Sequence, residues 1–204
     1  MKPRYWERAK RELAARDRVM RKLVASYPGI SLRSRGDAFS TLARSIVGQQ
    51  ISVKAADSVW QRLAATIAIT PAAMVTAEHA ALRNCGLSTR KAEYLQDLAR
   101  HFADGRLDPA RWRHHDDERL IAKLTEVKGI GRWTAEMFLI FHMLRPNVLP
   151  LDDIGLQRAI GLHYNGGETP DRQAMCEIAQ NWAPWRSVAT WYLWRSLDPQ
   201  PVEY

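Results

Sequence analysis

The sequence predicts an all-α protein, and three observations carry that expectation. Apolar residues recur at helical spacing nearly everywhere, no stretch alternates at period two for long enough to make a sheet, and glycine or proline interrupts the chain at short intervals. With 204 residues, 46% of them hydrophobic, the chain can bury a core as one domain or as two small lobes.

The first element spans 3–25, where Trp6, Ala9, Leu13, Met20 and Val24 recur near helical spacing. This stretch is rich in Arg and Lys but also carries Glu7, Glu12 and Asp17 and is poor in Ser. It reads as an amphipathic helix of the folded protein rather than a transit peptide. Pro28-Gly29 ends it. Helices near 38–47 and 52–66 follow, separated by Gly48, and then helices near 70–75, 78–84 and 89–103, with Gly86 before the last. Gly105 and Pro109 precede a helix over 116–126, and Gly129 divides that helix from one over 131–143. Pro146 and Pro150 lead to a helix over 153–162, and Gly166-Gly167 to one over 171–181. The last helix, 184–197, opens on Pro184, at a first-turn position that tolerates proline.

The net charge of +8, with Arg favoured over Lys, suits a polyanionic partner, because each phosphate neutralised releases condensed counterions. No apolar run approaches the roughly 18 residues a membrane span needs, so a cytosolic protein is expected. Cys85 and Cys176 lie far apart, which excludes a paired-cysteine zinc site and a four-thiolate iron–sulfur cluster. The six histidines show no metal-ligand spacing, so no tightly bound transition metal is expected.

Two segments carry chemistry. In 124–144 a helix ends at Val127, and Lys128-Gly129-Ile130-Gly131 turns tightly into the next one. Gly129 and Gly131 permit positive φ and a close approach of another backbone. The second helix begins with exposed N–H groups, a natural seat for a phosphate, and Arg132 can add a charge-assisted contact. By itself this is also a plain helical hairpin with glycine in its turn. In 147–162 Pro150 leads to Asp152 and Asp153, directly before an apolar-periodic helix. Taken alone, either aspartate is an ordinary helix N-cap.

The order Val127-x-Gly129-Ile130-Gly131-x-x-Thr134-Ala135 is more specific than two glycines. It resembles the helix–hairpin–helix motif of DNA-binding proteins that do not read sequence. With Asp153 placed 20 residues after Trp133, the chain resembles the helix–hairpin–helix (HhH-GPD) DNA glycosylase superfamily. The stretches 40–63, 82–100 and 182–198 extend the likeness, the last two toward the 3-methyladenine DNA glycosylase II branch. Arg158, five residues after Asp153, matches an Arg of the family pattern and selects Asp153 over Asp152. Two departures stand out. The N-terminal β-rich domain of the longer type has no counterpart here, and Lys128 replaces a common Pro.

The resemblance implies two helical lobes with an active-site cleft between them. The central lobe would be 38–148, with the hairpin motif at about 116–143, and 1–37 plus 149–204 would form the lobe bearing Asp153. It implies a monofunctional base excision repair enzyme that hydrolyses the N-glycosidic bond of flipped-out alkylated purines such as 3-methyladenine and 7-methylguanine. Asp153 would stabilise the oxocarbenium-like sugar. Trp133 occupies the position where bifunctional members carry the Schiff-base Lys, so no lyase activity is expected.

Trp133, Met137, Trp191 and Trp194 are the expected base pocket, whose indole faces would attract a cationic purine. Gln50 and Ile51, at a loop tip, are candidates for the wedge that fills the vacated stack; Gln side chains holding the loop backbone explain the segment equally well. Lys128, Gly129, Gly131, Arg132 and Thr134 are expected at the DNA. By resemblance alone, main-chain carbonyls of Thr125, Val127 and Ile130 would hold a Na⁺ or K⁺, and no cofactor is required. The expected partner is damaged double-stranded DNA, met by a monomer in the bacterial cytosol or nucleoid. A glycosylase for oxidised or deaminated bases, and a non-catalytic DNA-binding module, are the alternatives.

Overall fold

The computed structural model describes residues 2–34 and 36–198. Within them the chain is helical and contains no strand. The helices are α1 (Trp6–Arg16), α2 (Arg18–Ser26), α3 (Ala38–Gly48), α4 (Val53–Thr66), α5 (Pro71–Thr76), α6 (His79–Asn84), α7 (Thr89–Ala103), α8 (Asp117–Thr125), α9 (Arg132–Phe141), α10 (Ile154–Tyr164), α11 (Arg172–Gln180) and α12 (Arg186–Leu197). Most begin on a side chain that caps them. Asp17, Asp37, Ser52, Thr70, Ser88, Asp116, Asp153 and Asp171 each accept from backbone N–H groups of the turn that follows.

Three details depart from the sequence expectation. The single helix over 3–25 is two, because Asp17 leaves helical geometry (φ −133°, ψ 122°) and caps α2 through Val19 and Met20. A short 3₁₀ turn, Trp112–His114, lies where no element was expected; its buried Trp112 anchors it. Pro184 lies ahead of the last helix rather than in its first turn, since α12 starts at Arg186.

The chain divides into two compact units, Met1–Ser34 with Leu139–Tyr204, and Arg35–Phe138. The division falls inside α9, ten residues before the boundary expected at 148. The core of the continuous unit contains a run of edge-to-face rings, Phe39 on Phe102, Phe102 on Trp112, and Trp112 on Phe138, with centroids 5.4–6.0 Å apart. Leu42, Ile46, Leu63, Leu95 and Leu98 are fully buried in the same unit.

The discontinuous unit packs Trp6 edge-on to Trp191 and stacked on Tyr192. It also buries a carboxylate. Asp17 accepts from Val19 N, Met20 N, Tyr164 Oη and Trp182 Nε1, so its charge is met by four donors. The abundance of tryptophan is therefore mostly a packing property, since five of the eight are 7% exposed or less (Trp6, Trp112, Trp182, Trp185 and Trp191).

Candidate active site

In the discontinuous unit, Leu149 to Asp153 form a tight turn before α10, with Asp153 N–H donating to Pro150 O at 3.0 Å. Asp153 then caps α10, its Oδ1 accepting from Leu156 N at 2.6 Å. The same oxygen accepts from Trp194 Nε1 at 2.7 Å. Two donors on one oxygen fix the rotamer of a carboxylate that is only 9% exposed. The helix N-terminus behind it is a favourable seat for negative charge. Gly155 lets this happen, because a Cβ there would lie 3.1 Å from Asp153 Oδ1 and 3.2 Å from Trp194 Cδ1. Asp152 is different: it is exposed and pairs with Arg172 at 2.7 Å. Of the two aspartates, only Asp153 is built into the fold.

Trp194 is half-buried and stacks on Phe141 at 5.7 Å and 11°. Expected as a pocket wall, it is the side chain that holds the carboxylate. Trp191 is 4% exposed, enclosed by Trp6 and Tyr192, with the Arg195 guanidinium 4.8 Å from its ring centroid. Its ring is packed among core partners of this unit, which accounts for its burial without a base beside it. Ile154, beside Asp153, is an apolar side chain left 72% exposed.

In the continuous unit, α8 and α9 flank the turn 126–131. Val127 and Ile130 are buried, and Ile130 N–H donates to Val127 O at 3.1 Å. Gly129 has φ +83°, and a Cβ on it would fall within the ring of Tyr94. Its need for glycine thus comes from the left-handed φ and from Tyr94, rather than from another backbone. Gly131 has no positive φ, and a Cβ there would meet nothing within 4 Å. Its carbonyl accepts from Ala135 N at 3.0 Å, so it stands at the head of α9, where most other helices carry a capping side chain.

Arg132 is already engaged. Its guanidinium is bidentate to Glu118 (2.9 and 2.5 Å) and bonds Glu136 at 2.9 Å, so two carboxylates compete with any phosphate for it. The pairing holds the Glu118 carboxyl below its ordinary range and pushes the guanidinium further up. Lys128 is exposed, while its backbone N–H is already donated to Asp97 Oδ2 at 2.9 Å. Thr134 and Met137 are buried at 8% and 5%, whereas Trp133, between Arg132 and Thr134, is 39% exposed. Core packing, the ordinary use of a tryptophan on so apolar a helix, does not describe Trp133.

The α3–α4 loop has Gln50 exposed at φ +58° and Ile51 at 40% exposure. The glutamine that bonds backbone is neither of these. It is Gln49, whose Nε2 donates to Gly129 O at 2.8 Å. Sequence reasoning missed Gln49, and missed Lys91 and Tyr94 of α7, because their partners lie 35 to 80 residues away.

The description HhH-GPD superfamily base excision DNA repair protein matches residues 43–184. The Bacillus subtilis (strain 168) protein YfjP, named provisionally as a DNA-3-methyladenine glycosylase, is 39% identical over 128 residues, 63% of this chain and 45% of that protein. The chain thus covers under half the length of that relative. Among solved structures, the DNA-3-methyladenine glycosidase of Bacillus halodurans superposes with a TM-score of 0.87 at 33% identity, covering 93% of this chain and 89% of the other. The 3-methyladenine DNA glycosylase of Schizosaccharomyces pombe, solved with abasic DNA, gives a TM-score of 0.77 at 29% identity, covering 93% and 96%.

Proposed function

Because the chain belongs to the HhH-GPD superfamily of base excision DNA repair proteins, we propose that it is a monofunctional DNA glycosylase. Its substrates are alkylated purines, such as 3-methyladenine and 7-methylguanine, in double-stranded DNA. The observation that carries this reading is the pinned carboxylate: Asp153 Oδ1 receives both Leu156 N–H and Trp194 Nε1–H. A helix cap needs only the first. The second holds an acceptor in one orientation, which is what stabilising a transient cation requires.

In this reading the damaged base is turned out of the stack before its bond is reached. Gln50 and Ile51 fill the space it leaves, supported by their exposure at the loop tip. Trp133 offers an indole face to the cationic purine, supported by its exposure in the first turn of α9, ahead of the buried run from Thr134. As the bond breaks, the sugar gains oxocarbenium character, and Asp153 stabilises it and orients or deprotonates the water whose oxygen bonds to the sugar. A cationic purine is already a good leaving group, so no separate general acid is needed. Trp133 has no amine to attack the sugar, and the product is an intact abasic strand.

The open head of α9 at Gly131 and the Lys128 side chain are the proposed phosphate contacts. A Na⁺ or K⁺ held by the carbonyls of Thr125, Val127 and Ile130 would lend that turn positive charge. The fit is reasonable for Val127, whose carbonyl gives one of its two lone pairs to Ile130 N–H. No chemical step passes through the ion, and the reading needs no other cofactor. Among the described residues no helix is long and apolar enough to cross a membrane. A monomer working on DNA in the bacterial cytosol completes the reading.

The test is Asp153→Asn, which keeps a capping side chain and removes the charge. Release of 3-methyladenine from methylated DNA is expected to be abolished, with binding to abasic-site DNA retained. Near-normal release by this variant would overturn the assignment.

A further inference from the structure

Lys91, Tyr94 and Asp97 follow one another at intervals of three along α7 and so share one stripe of that helix. Each touches a loop on which the proposed function depends. Lys91 Nζ donates to Val47 O and to Gln49 O, both at 2.7 Å. These carbonyls flank Gly48, the last residue of α3, where the final C=O groups lack partners inside the helix. An ammonium there also meets the negative end of the helix dipole. Tyr94 fills the space that a side chain at Gly129 would take. Asp97 Oδ2 accepts the Lys128 N–H at 2.9 Å. Gln49 closes the circuit by donating to Gly129 O at 2.8 Å.

We propose that this stripe of α7 is a positioning element that sets the 49–51 loop and the 128–131 turn as a single piece, with Lys91 governing the loop. The inference rests on the reading of Gln50 and Ile51 as the wedge. Its logic is local. Gln50 holds a left-handed φ that a non-glycine residue adopts only when its surroundings enforce it. The residue before it is clamped at both ends, its carbonyl by Lys91 and its side chain by Gly129. Charge-assisted bonds are the stronger kind, and burial, which pulls the Lys91 amine below its ordinary value, shields these from competing water. Releasing Lys91 frees the Gln49 carbonyl and lets Gln50 relax from the wedge conformation, while Asp153 and Trp194 are untouched.

The experiment compares single-turnover release of 7-methylguanine from two duplexes, one with the lesion paired to cytosine and one with it mispaired. A wedge matters most when pairing must be broken. Lys91→Met is expected to slow release from the paired duplex at least tenfold and from the mispaired duplex less than threefold. Gln49→Ala should act in the same direction, and the double variant should fall short of the product of the two effects. Equal slowing on both duplexes, or no slowing on either, overturns the proposal. If Lys91→Met does not fold, Gln49→Ala decides by the same criterion. A wild-type protein inactive on both duplexes would instead sink the glycosylase reading, so the two failures are distinguishable.

Discussion

Trp194 donates its indole N–H to Asp153 across 41 residues of sequence, and it does so to the oxygen that already caps α10. The carboxylate is therefore oriented by a helix on one side and an aromatic ring on the other. The ring is in turn held by its stack on Phe141.

Trp194→Phe separates the donor from the ring. Phenylalanine can keep the stack on Phe141 but has no N–H. A hydrogen bond to a charged group contributes about 1.5–3 kcal/mol, so release of the base should slow roughly ten- to a hundredfold. The same loss should lower the melting temperature by about 2–4 °C for each kcal/mol, so the rate is read well below the transition. A single-turnover rate within twofold of wild type would remove Trp194 from the mechanism.

Gly129 and Gly131 should respond differently to alanine. At Gly129 a left-handed backbone costs about 1–3 kcal/mol for a residue with a Cβ, and that Cβ would also displace the Tyr94 ring. Urea unfolding should show Gly129→Ala destabilised by about 2 kcal/mol or more. Gly131→Ala has open space and no positive φ, so its loss should be smaller, that of a poorer helix cap, about 1 kcal/mol or less. If phosphate approaches there, affinity for abasic DNA falls with it. Equal stability losses at the two positions would contradict this account of the turn.

Borohydride should trap no covalent complex with lesion-bearing DNA, because the position that carries the Schiff-base lysine in bifunctional relatives holds Trp133 here. A trapped adduct on denaturing gels would refute the monofunctional assignment.

Acidification should reveal His163. Its Nε2 lies 2.8 Å from Ser196 Oγ, and that hydroxyl donates to Leu193 O, so the ring nitrogen is the donor. Burial pulls the His163 pKa below the usual 6.5. A depressed value means that the unfolded chain binds the proton more readily. Stability is therefore complete above about pH 6.5 and declines as pH falls below it. Thermal melts between pH 7.5 and 5.5 should show a steeper decline for wild type than for His163→Gln. Parallel curves would exclude this group as a source of the pH dependence.

Most helices were legible from periodicity because they bury one stripe of apolar side chains, while α9 and α12, buried nearly all round, were legible from their length and the breakers beside them. The break at Asp17 was not, since a capping aspartate and a mid-helix aspartate look alike until φ and ψ are known. Asp153 could be singled out by its place after the Gly-Ile-Gly turn, but its restraint by Trp194 depends on a contact 41 residues away. Arg132 shows the converse case. A cation at a helix start suggests phosphate, while Glu136 one turn along and Glu118 on the preceding helix are the partners that the folded chain gives it. Side chains that close long loops, Lys91 and Gln49 above all, leave no periodic trace.

The four donors gathered by Asp17 have a consequence for how the molecule comes into being. Two of them, Tyr164 and Trp182, are made long after the helices they secure. A ribosome delivers the whole of Arg35–Phe138, with its own core, before either appears. The continuous unit can therefore fold early. Meanwhile α1 and α2 keep Trp6, Leu13, Met20 and Leu23, all buried in the finished protein, without their late partners. Until residue 182 emerges, α1 and α2 wait for the side chains that shelter them, although Arg35–Phe138 is already complete.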